Sequence, residues 1–258
     1  MSTTIDANLF VGRYPFRSCA AGSVAECRAM LGRIGFDGGV VSPLEAIFEE
    51  DSFAAEERLA GSIQDAREFV HFKVVNPAQP WWLDDLERAL AELGVRGVRL
   101  CSLYHGYPLG GGEAAAVFRF AAERDLPVLV TCRMQDVRMQ WLLHAVEPTQ
   151  DEVAHVLDAF PSNRIILAGL SFRWLVDLAD KINGRANVLC DTSRLQGPWQ
   201  TFEKLAARLD LSRVAFGSLW PISLPDCPLE QLRRASVGED AKHGIRGANL
   251  CRLLGESA

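Results

Sequence analysis

Only a handful of side chains in this 258-residue sequence have the types and positions that make or break bonds. Asp191 ends a short apolar run, Val188-Leu189-Cys190, where a carboxylate shielded from water can act as a general base. His105 follows another such run, and its imidazole can exchange a proton near neutral pH. It can equally be a packing element of its loop. Cys101 stands four residues before His105, a spacing that admits a thiolate with a neighbouring base. A cysteine in an apolar run is more often a small buried residue. Arg13, Arg17, Arg133, Arg173 and Arg194 each follow an apolar run. If they converge they suit a carboxylate or phosphate, since a guanidinium is always charged and bonds such groups through a fork of N–H donors. Otherwise they pair with acidic neighbours. Asn8, Tyr104, Thr131 and Trp220 complete the candidate substrate contacts, and the ligand such a set implies is a small molecule, anionic if the arginines meet.

Short apolar runs at residues 5–12, 37–42, 69–76, 98–102, 128–132, 165–169, 187–192 and 214–218 alternate with amphipathic stretches. Runs rich in Val, Ile and Leu mark strands covered on both faces. Helices are predicted over 23–34, with Ser23 as N-cap, and over 51–68, 83–93, 113–124, 151–160, 172–182, 201–209, 229–236 and 240–254. Eight such units imply parallel strands with right-handed crossovers, and eight close a barrel of about 250 residues. A doubly wound open sheet is the competitor, but no strand is followed by Gly-x-Gly-x-x-Gly. Gly110-Gly111-Gly112 at a helix start reads as a flexible connection more readily than as a phosphate cradle. The fold class expected is α/β, a single (β/α)8 barrel spanning residues 1–258.

If that is the fold, the chemistry sits where strands end. Period-two alternation then turns Asp6, Asn8 and Phe10 inward on the first strand, Arg99 and Cys101 on the fourth, and Leu129 and Thr131 on the fifth. On the seventh strand either Asp191 or Thr192 faces in.

A net charge of −6, from 27 basic and 33 acidic residues, gives no footprint for nucleic acid or an anionic membrane. No apolar stretch suggests a membrane span, and the first residues lack the pattern of a secretion signal. Seven scattered cysteines without a Cys-x-x-Cys pair read as free thiols of a cytoplasmic protein.

Read in order, the strand ends form a series: Ile5-Asp6-Ala7-Asn8-Leu9-Phe10, then Tyr104-His105-Gly106-Tyr107-Pro108-Leu109, Val128-Leu129-Val130-Thr131, Ile165-Ile166-Leu167-Ala168-Gly169, Phe216-Gly217-Ser218-Leu219-Trp220-Pro221 and the closing Gly247-Ala248-Asn249-Leu250-Cys251-Arg252-Leu253-Leu254. The series resembles the amidohydrolase-related family of the amidohydrolase superfamily over nearly the whole chain. The resemblance implies a metal-dependent hydrolase with a His-x-His pair on the first strand, a histidine on each of the fifth and sixth, and an aspartate on the eighth. Here those positions hold Asn8 and Phe10, Thr131, Gly169, and Leu219. An amide, a hydroxyl, a backbone hydrogen and two hydrocarbon groups offer no credible catalytic metal site. No histidine lies in the first, fifth or sixth strand. His71, His144, His155 and His243 sit early in a strand or in helical stretches.

No bound metal or other cofactor is therefore expected. Two functional readings stand open, ahead of a third in which a metal binds through other ligands. One is a metal-independent hydrolase of a small carboxylate-bearing lactone or ester, with Asp191 or His105 activating water. The other is a catalytically inactive member that binds a small molecule or a protein partner. The tryptophans and the habit of the superfamily are compatible with a homodimer.

Overall fold

The computed structural model describes residues 4–16, 18–19, 22–136 and 146–255. Eight parallel strands succeed one another in chain order: β1 Ile5–Val11, β2 Gly38–Pro43, β3 Phe69–Val75, β4 Gly97–Leu100, β5 Val128–Thr131, β6 Ile165–Ala168, β7 Val188–Asp191 and β8 Val214–Ala215. The ring closes where Ala7 N donates to Phe216 O (2.7 Å), Leu219 N to Asn8 O (2.9 Å) and Phe10 N to Trp220 O (2.8 Å). The protein is a single (β/α)8 barrel. β8 is shorter than its sequence suggests. Beyond Ala215 the backbone turns to side chains, with Gly217 N on Thr192 Oγ1 (3.1 Å) and Ser218 N on Asp6 Oδ1 (3.1 Å).

The outer layer follows the amphipathic pattern. α1 (Val24–Ile34) starts at Ser23, whose hydroxyl and backbone form a reciprocal capping box with Glu26, and stops at Gly35 in the left-handed region (φ 73°). Around the ring come α2 (Phe53–Ile63), α3 (Trp82–Glu92), α4 (Ser102–His105), α5 (Gly112–Glu123), α6 (Gln150–Ala159), α7 (Phe172–Asp177), α8 (Ala179–Asn183), α9 (Thr201–Ala206), α10 (Asp226–Arg234), α11 (Glu239–His243) and α12 (Asn249–Leu254). The helix expected over 172–182 divides at Leu178, and that over 240–254 is interrupted at Gly244–Ala248. There Gly244 lies so close to the Asn249 side chain that a Cβ would fall 2.9 Å from its Oδ1. Asn249 Nδ2 donates to Leu211 O (3.0 Å) and Val214 O (2.8 Å), so the closing Gly-Ala-Asn segment ties the chain end to β8.

The barrel interior has three tiers. The lowest is apolar: Ile5, Ala7, Val40, Val70, Phe72, Leu129, Ile166, Ala168, Leu189 and Ala215, joined by Leu250, Cys251, Leu253 and Leu254 of α12. The middle tier is polar: Asn8, Ser42, Arg99, Thr131 and Asp191, all fully buried. The uppermost is apolar again, with Phe10, Leu44, Val74, Cys101, Leu103, Met134, Leu219 and Ile222 in one cluster. On β1 the expected parity fails at one place. Ile5 and Ala7 pack in the lowest tier, and a register shift between Asp6 and Leu9 then turns Asn8 and Phe10 inward. Asp6 consequently leaves the alternation and folds back onto Asn8 N and Ser218 N.

Candidate functional site

Asn8 lies between the two charged members of the middle tier. Its Oδ1 accepts from Arg99 Nη1 and its Nδ2 donates to Asp191 Oδ2, both at 2.7 Å, and this pair of partners fixes the orientation of the amide. Arg99 also donates from Nε to Ser42 Oγ (2.8 Å) and from Nη2 to Leu9 O (3.3 Å). Its guanidinium lies over the Phe10 ring, 4.0 Å from the centre. Ser42 passes its own hydrogen to Phe72 O (2.6 Å).

β7 alternation, which the sequence left open, places Leu189 and Asp191 inside. Asp191 Oδ1 accepts from Gly169 N (2.8 Å), Ser193 N (3.3 Å) and Ser193 Oγ (2.9 Å). Burial lowers the Arg99 pKa to about 10, so the group stays charged at neutral pH. Burial raises the Asp191 carboxyl, against the pull of these donors and Asn8.

Above this network the mouth is packed. Phe10 and Leu219 are fully buried, and Tyr14, at 3% exposure, covers them. Tyr14 and Tyr104 share a hydroxyl hydrogen bond of 3.1 Å, and Gln135 Nε2 donates to Tyr14 OH. Phe16 and Phe48 pack on the Tyr104 ring at 6.2 and 4.9 Å between centres. Two clefts open at the rim, one in the loop after β1 beside Arg13, Phe16 and Glu45, the other between the loops after β2, β3 and β4 beside Lys73 and His105. Neither is lined by Asn8, Arg99 or Asp191.

The candidate residues scatter. Asn8 and Asp191 meet on the axis, and Thr131 is fully buried on β5. Cys101 sits just above them, fully buried, its thiol pushed up to about 11 by burial and so protonated at neutral pH. His105 is elsewhere. Its Nε2 donates to Ile47 O (3.1 Å) at the rim, and burial lowers its pKa to about 4, leaving it neutral. Trp220 packs with the outer core between strands and helices.

The described arginines do not converge, and Arg133, Arg194 and Arg173 each find a local acceptor. Arg133 makes a forked pair with Glu147 (2.7–2.9 Å), and Arg194 bonds Met134 O. Arg173, 88% exposed at its side chain, lies 3.6 Å from Asp177. Arg13 is exposed, its backbone N on Glu45 Oε1 (2.7 Å). Arg17 lies outside the described residues. Among the described residues the cation that reaches the axis is Arg99, which period two turns inward and whose partner, Asn8, sequence alone does not reveal. An arginine inside a run of Gly, Val and Leu was the available signal.

The positions where the resemblance implies metal ligands do not suit a divalent ion. Asn8 has its oxygen committed to a guanidinium, whose charge opposes a second cation. Phe10 and Leu219 supply no lone pair. Gly169 is incompatible with a side chain: its φ is +84°, and a Cβ there would fall 2.4 Å from Arg133 O. Leu219 sits at φ 59°, a left-handed backbone that aspartate tolerates better than leucine. His71 is bonded to Glu56 (2.6 Å) between β3 and α2. Among the described residues no group of three or more His, Cys, Asp or Glu is placed to hold a metal.

Asp6 gives the network a pH dependence. Its Oδ2 is buried without a hydrogen-bond partner, and burial, with a smaller contribution from Asp191, pushes its pKa from 3.8 to about 7 against the donors on Oδ1. The folded state thus holds this proton to a higher pH than the unfolded chain does. Its contribution to stability is full below the unfolded value near 4 and is lost as pH rises to about 7. The unfolding free energy of the wild type minus that of Asp6→Asn is expected to fall across this window and level off above it. Urea titrations at stepped pH read the difference, and a difference that does not change with pH contradicts the assignment.

The barrel and its C-terminal mouth define a class, the α/β barrels that carry their chemistry at strand ends. Within it, the amidohydrolase family model matches residues 13–255, and the chain belongs to that family. A search of curated proteins finds no match.

Among solved structures, the 2,6-dihydroxybenzoate decarboxylase complexed with 2,6-dihydroxybenzoate is similar at a TM-score of 0.76 and 15% identity, covering 99% of this chain and 100% of its own. The 5-carboxyvanillate decarboxylase of Sphingomonas paucimobilis is similar at 0.75 and 13%, covering 100% of both. A dihydroxybenzoic acid decarboxylase of Polaromonas, with bound manganese and 2-nitroresorcinol, is similar at 0.74 and 16%, covering 99% of this chain and 97% of its own. At such identities the likeness establishes the fold. Among the described residues no helix is long and apolar enough to cross a membrane.

Proposed function

We propose that this chain is a non-catalytic member of the amidohydrolase family, its axis held by an internal guanidinium and its work done by binding at the surface. The observation that carries this reading is Arg99 Nη1 on Asn8 Oδ1 at 2.7 Å, beneath a lid of buried Phe10 and Leu219. A cation of the chain's own stands beside the residue that would otherwise help to bind one. The metal-independent hydrolase fares less well. Asp191 has both oxygens engaged by internal donors, and His105 hydrogen-bonds a backbone carbonyl at the rim instead of joining the axial network. A general base must come within hydrogen-bond reach of the water it activates, and among the described residues Phe10, Cys101, Met134 and Leu219 pack in a buried apolar cluster above Asp191.

The test is a turnover assay with 2,6-dihydroxybenzoate, 5-carboxyvanillate and a panel of small lactones and esters, with and without added manganese or zinc. No release of carbon dioxide or acid above the protein-free blank is expected. Turnover that disappears in Asp191→Asn would overturn the proposal.

A further inference from the structure

β3 turns Val70, Phe72 and Val74 into the barrel, so Lys73 faces outward, into the layer between β3 and the helices α2 and α3. Lys73 is 2% exposed, and lysine is almost never buried so fully without a counter-charge. Its Nζ makes a long contact with Val74 O (3.5 Å) and stands 5.6 Å from the centre of the Phe53 ring. Among the described residues no carboxylate forms an ion pair with it. An ammonium taken out of water without a close anion is costly to keep.

Asp85 of α3 is its counterpart. The side chain is half-buried and, among the described residues, neither accepts a hydrogen bond nor joins an ion pair. Burial raises its pKa, and the charge of Lys73 acts against that rise. The two groups feel each other without touching, and both line the rim cleft beside the loops after β2 and β3. Asn76 and Gln79 bring amides to the same cleft, and Asn76 Oδ1 accepts from Ala78 N (3.1 Å), which leaves its Nδ2 to donate. Trp81 and Trp82 form an indole wall. The exposed Glu49 and Glu50 also line it and oppose a simple anion.

We propose that this cleft binds a free aromatic α-amino acid by its head group, the carboxylate on Lys73 and the ammonium on Asp85. A ligand that satisfies both groups carries both charges. The cavity is small, about 20 Å³, so it takes a head group and not a whole molecule, and the two charges must sit close together, as they do on one α-carbon. The acidic lip that repels a simple anion then favours the ammonium. The side chain of the ligand lies in the open mouth against Trp81 and Trp82, where an aromatic ring gains most. The proposal rests on the reading of a chain that works by binding, and names what is bound. The two fail separately: turnover in the assay above overturns that reading, whereas absence of binding without turnover overturns only this one.

Titration calorimetry of the full chain with L-phenylalanine is expected to show binding. Phenethylamine and 3-phenylpropionate, which each keep one of the two charges, are expected to bind about tenfold more weakly or worse, the scale of a lost charge-assisted hydrogen bond. Lys73→Met keeps most of the buried volume and removes the charge. It is expected to abolish binding of L-phenylalanine without lowering the melting temperature, since a buried ammonium is exchanged for an apolar group. Should that variant fail to fold, Asp85→Asn on the half-exposed side of the cleft gives the answer. It is expected to weaken L-phenylalanine by about tenfold and to leave 3-phenylpropionate no weaker. No binding of L-phenylalanine at millimolar concentration overturns the proposal. So does 3-phenylpropionate binding as tightly as L-phenylalanine, or L-phenylalanine binding that either variant leaves intact.

Discussion

Arg99→Met is expected to destabilise the fold by about 3–5 kcal/mol, the range for removing one partner of a buried charged network. Methionine fills much of the volume but donates nothing. Asn8 Oδ1, Ser42 Oγ and Leu9 O would all lose the guanidinium, and Asp191 would lose the cation that faces it through Asn8. Adding Asp191→Asn to Arg99→Met is expected to recover part of the loss, since the neutral amide no longer needs a counter-charge. Additivity between the two changes would mean that the charges do not act on each other. Urea unfolding of the four proteins measures both quantities, and a loss below about 1 kcal/mol for Arg99→Met would show that the guanidinium is not needed at the axis.

Phe10→Ala is expected to cost about 3–5 kcal/mol. The ring is fully buried between Arg99 below and the apolar upper tier, so its removal leaves a cavity and strips the guanidinium of its aromatic cover. Phe10→Leu, which keeps most of the volume, is expected to cost less than half as much. Equal losses for the two variants would locate the effect in the ring–guanidinium contact instead of in packing. If neither variant is destabilised, the mouth is open and the lid described above does not exist.

The barrel was legible because its signal is periodic. Runs such as Val128-Leu129-Val130 and Ile165-Ile166-Leu167 are buried on both faces and keep their pattern whatever the loops do. Gly35 and the Ser23–Glu26 box mark helix ends through local backbone chemistry alone. The site was legible only in part. Inward parity was right for Asn8, Phe10, Arg99, Cys101 and Thr131, since alternation decides it. It failed for Asp6, because the pairing of β1 with β2 shifts register between Asp6 and Leu9, and run alternation does not show such a shift.

Strand-end arginines look alike in sequence. Whether Arg133 points at a ligand or at Glu147 depends on where the chain returns after β5. The same holds for His105 and Asp191. Both follow strands, yet one bonds Ile47 O at the rim and the other lies within the barrel, a separation set by the short helix α4. The incompatibility of Gly169 with any side chain could not be read at all, since it comes from the approach of Arg133 O.

The central claim is that Arg99 is held by Asn8, one of the positions where the resemblance implies a metal ligand. Equilibrium dialysis of the purified protein against manganese and zinc, followed by elemental analysis and thermal melts with and without chelator, tests it most directly. The account predicts far less than one metal per chain and identical melts. One equivalent of metal per chain that is removed by chelator with a fall in melting temperature, and that is lost in Asn8→Ala, would contradict it.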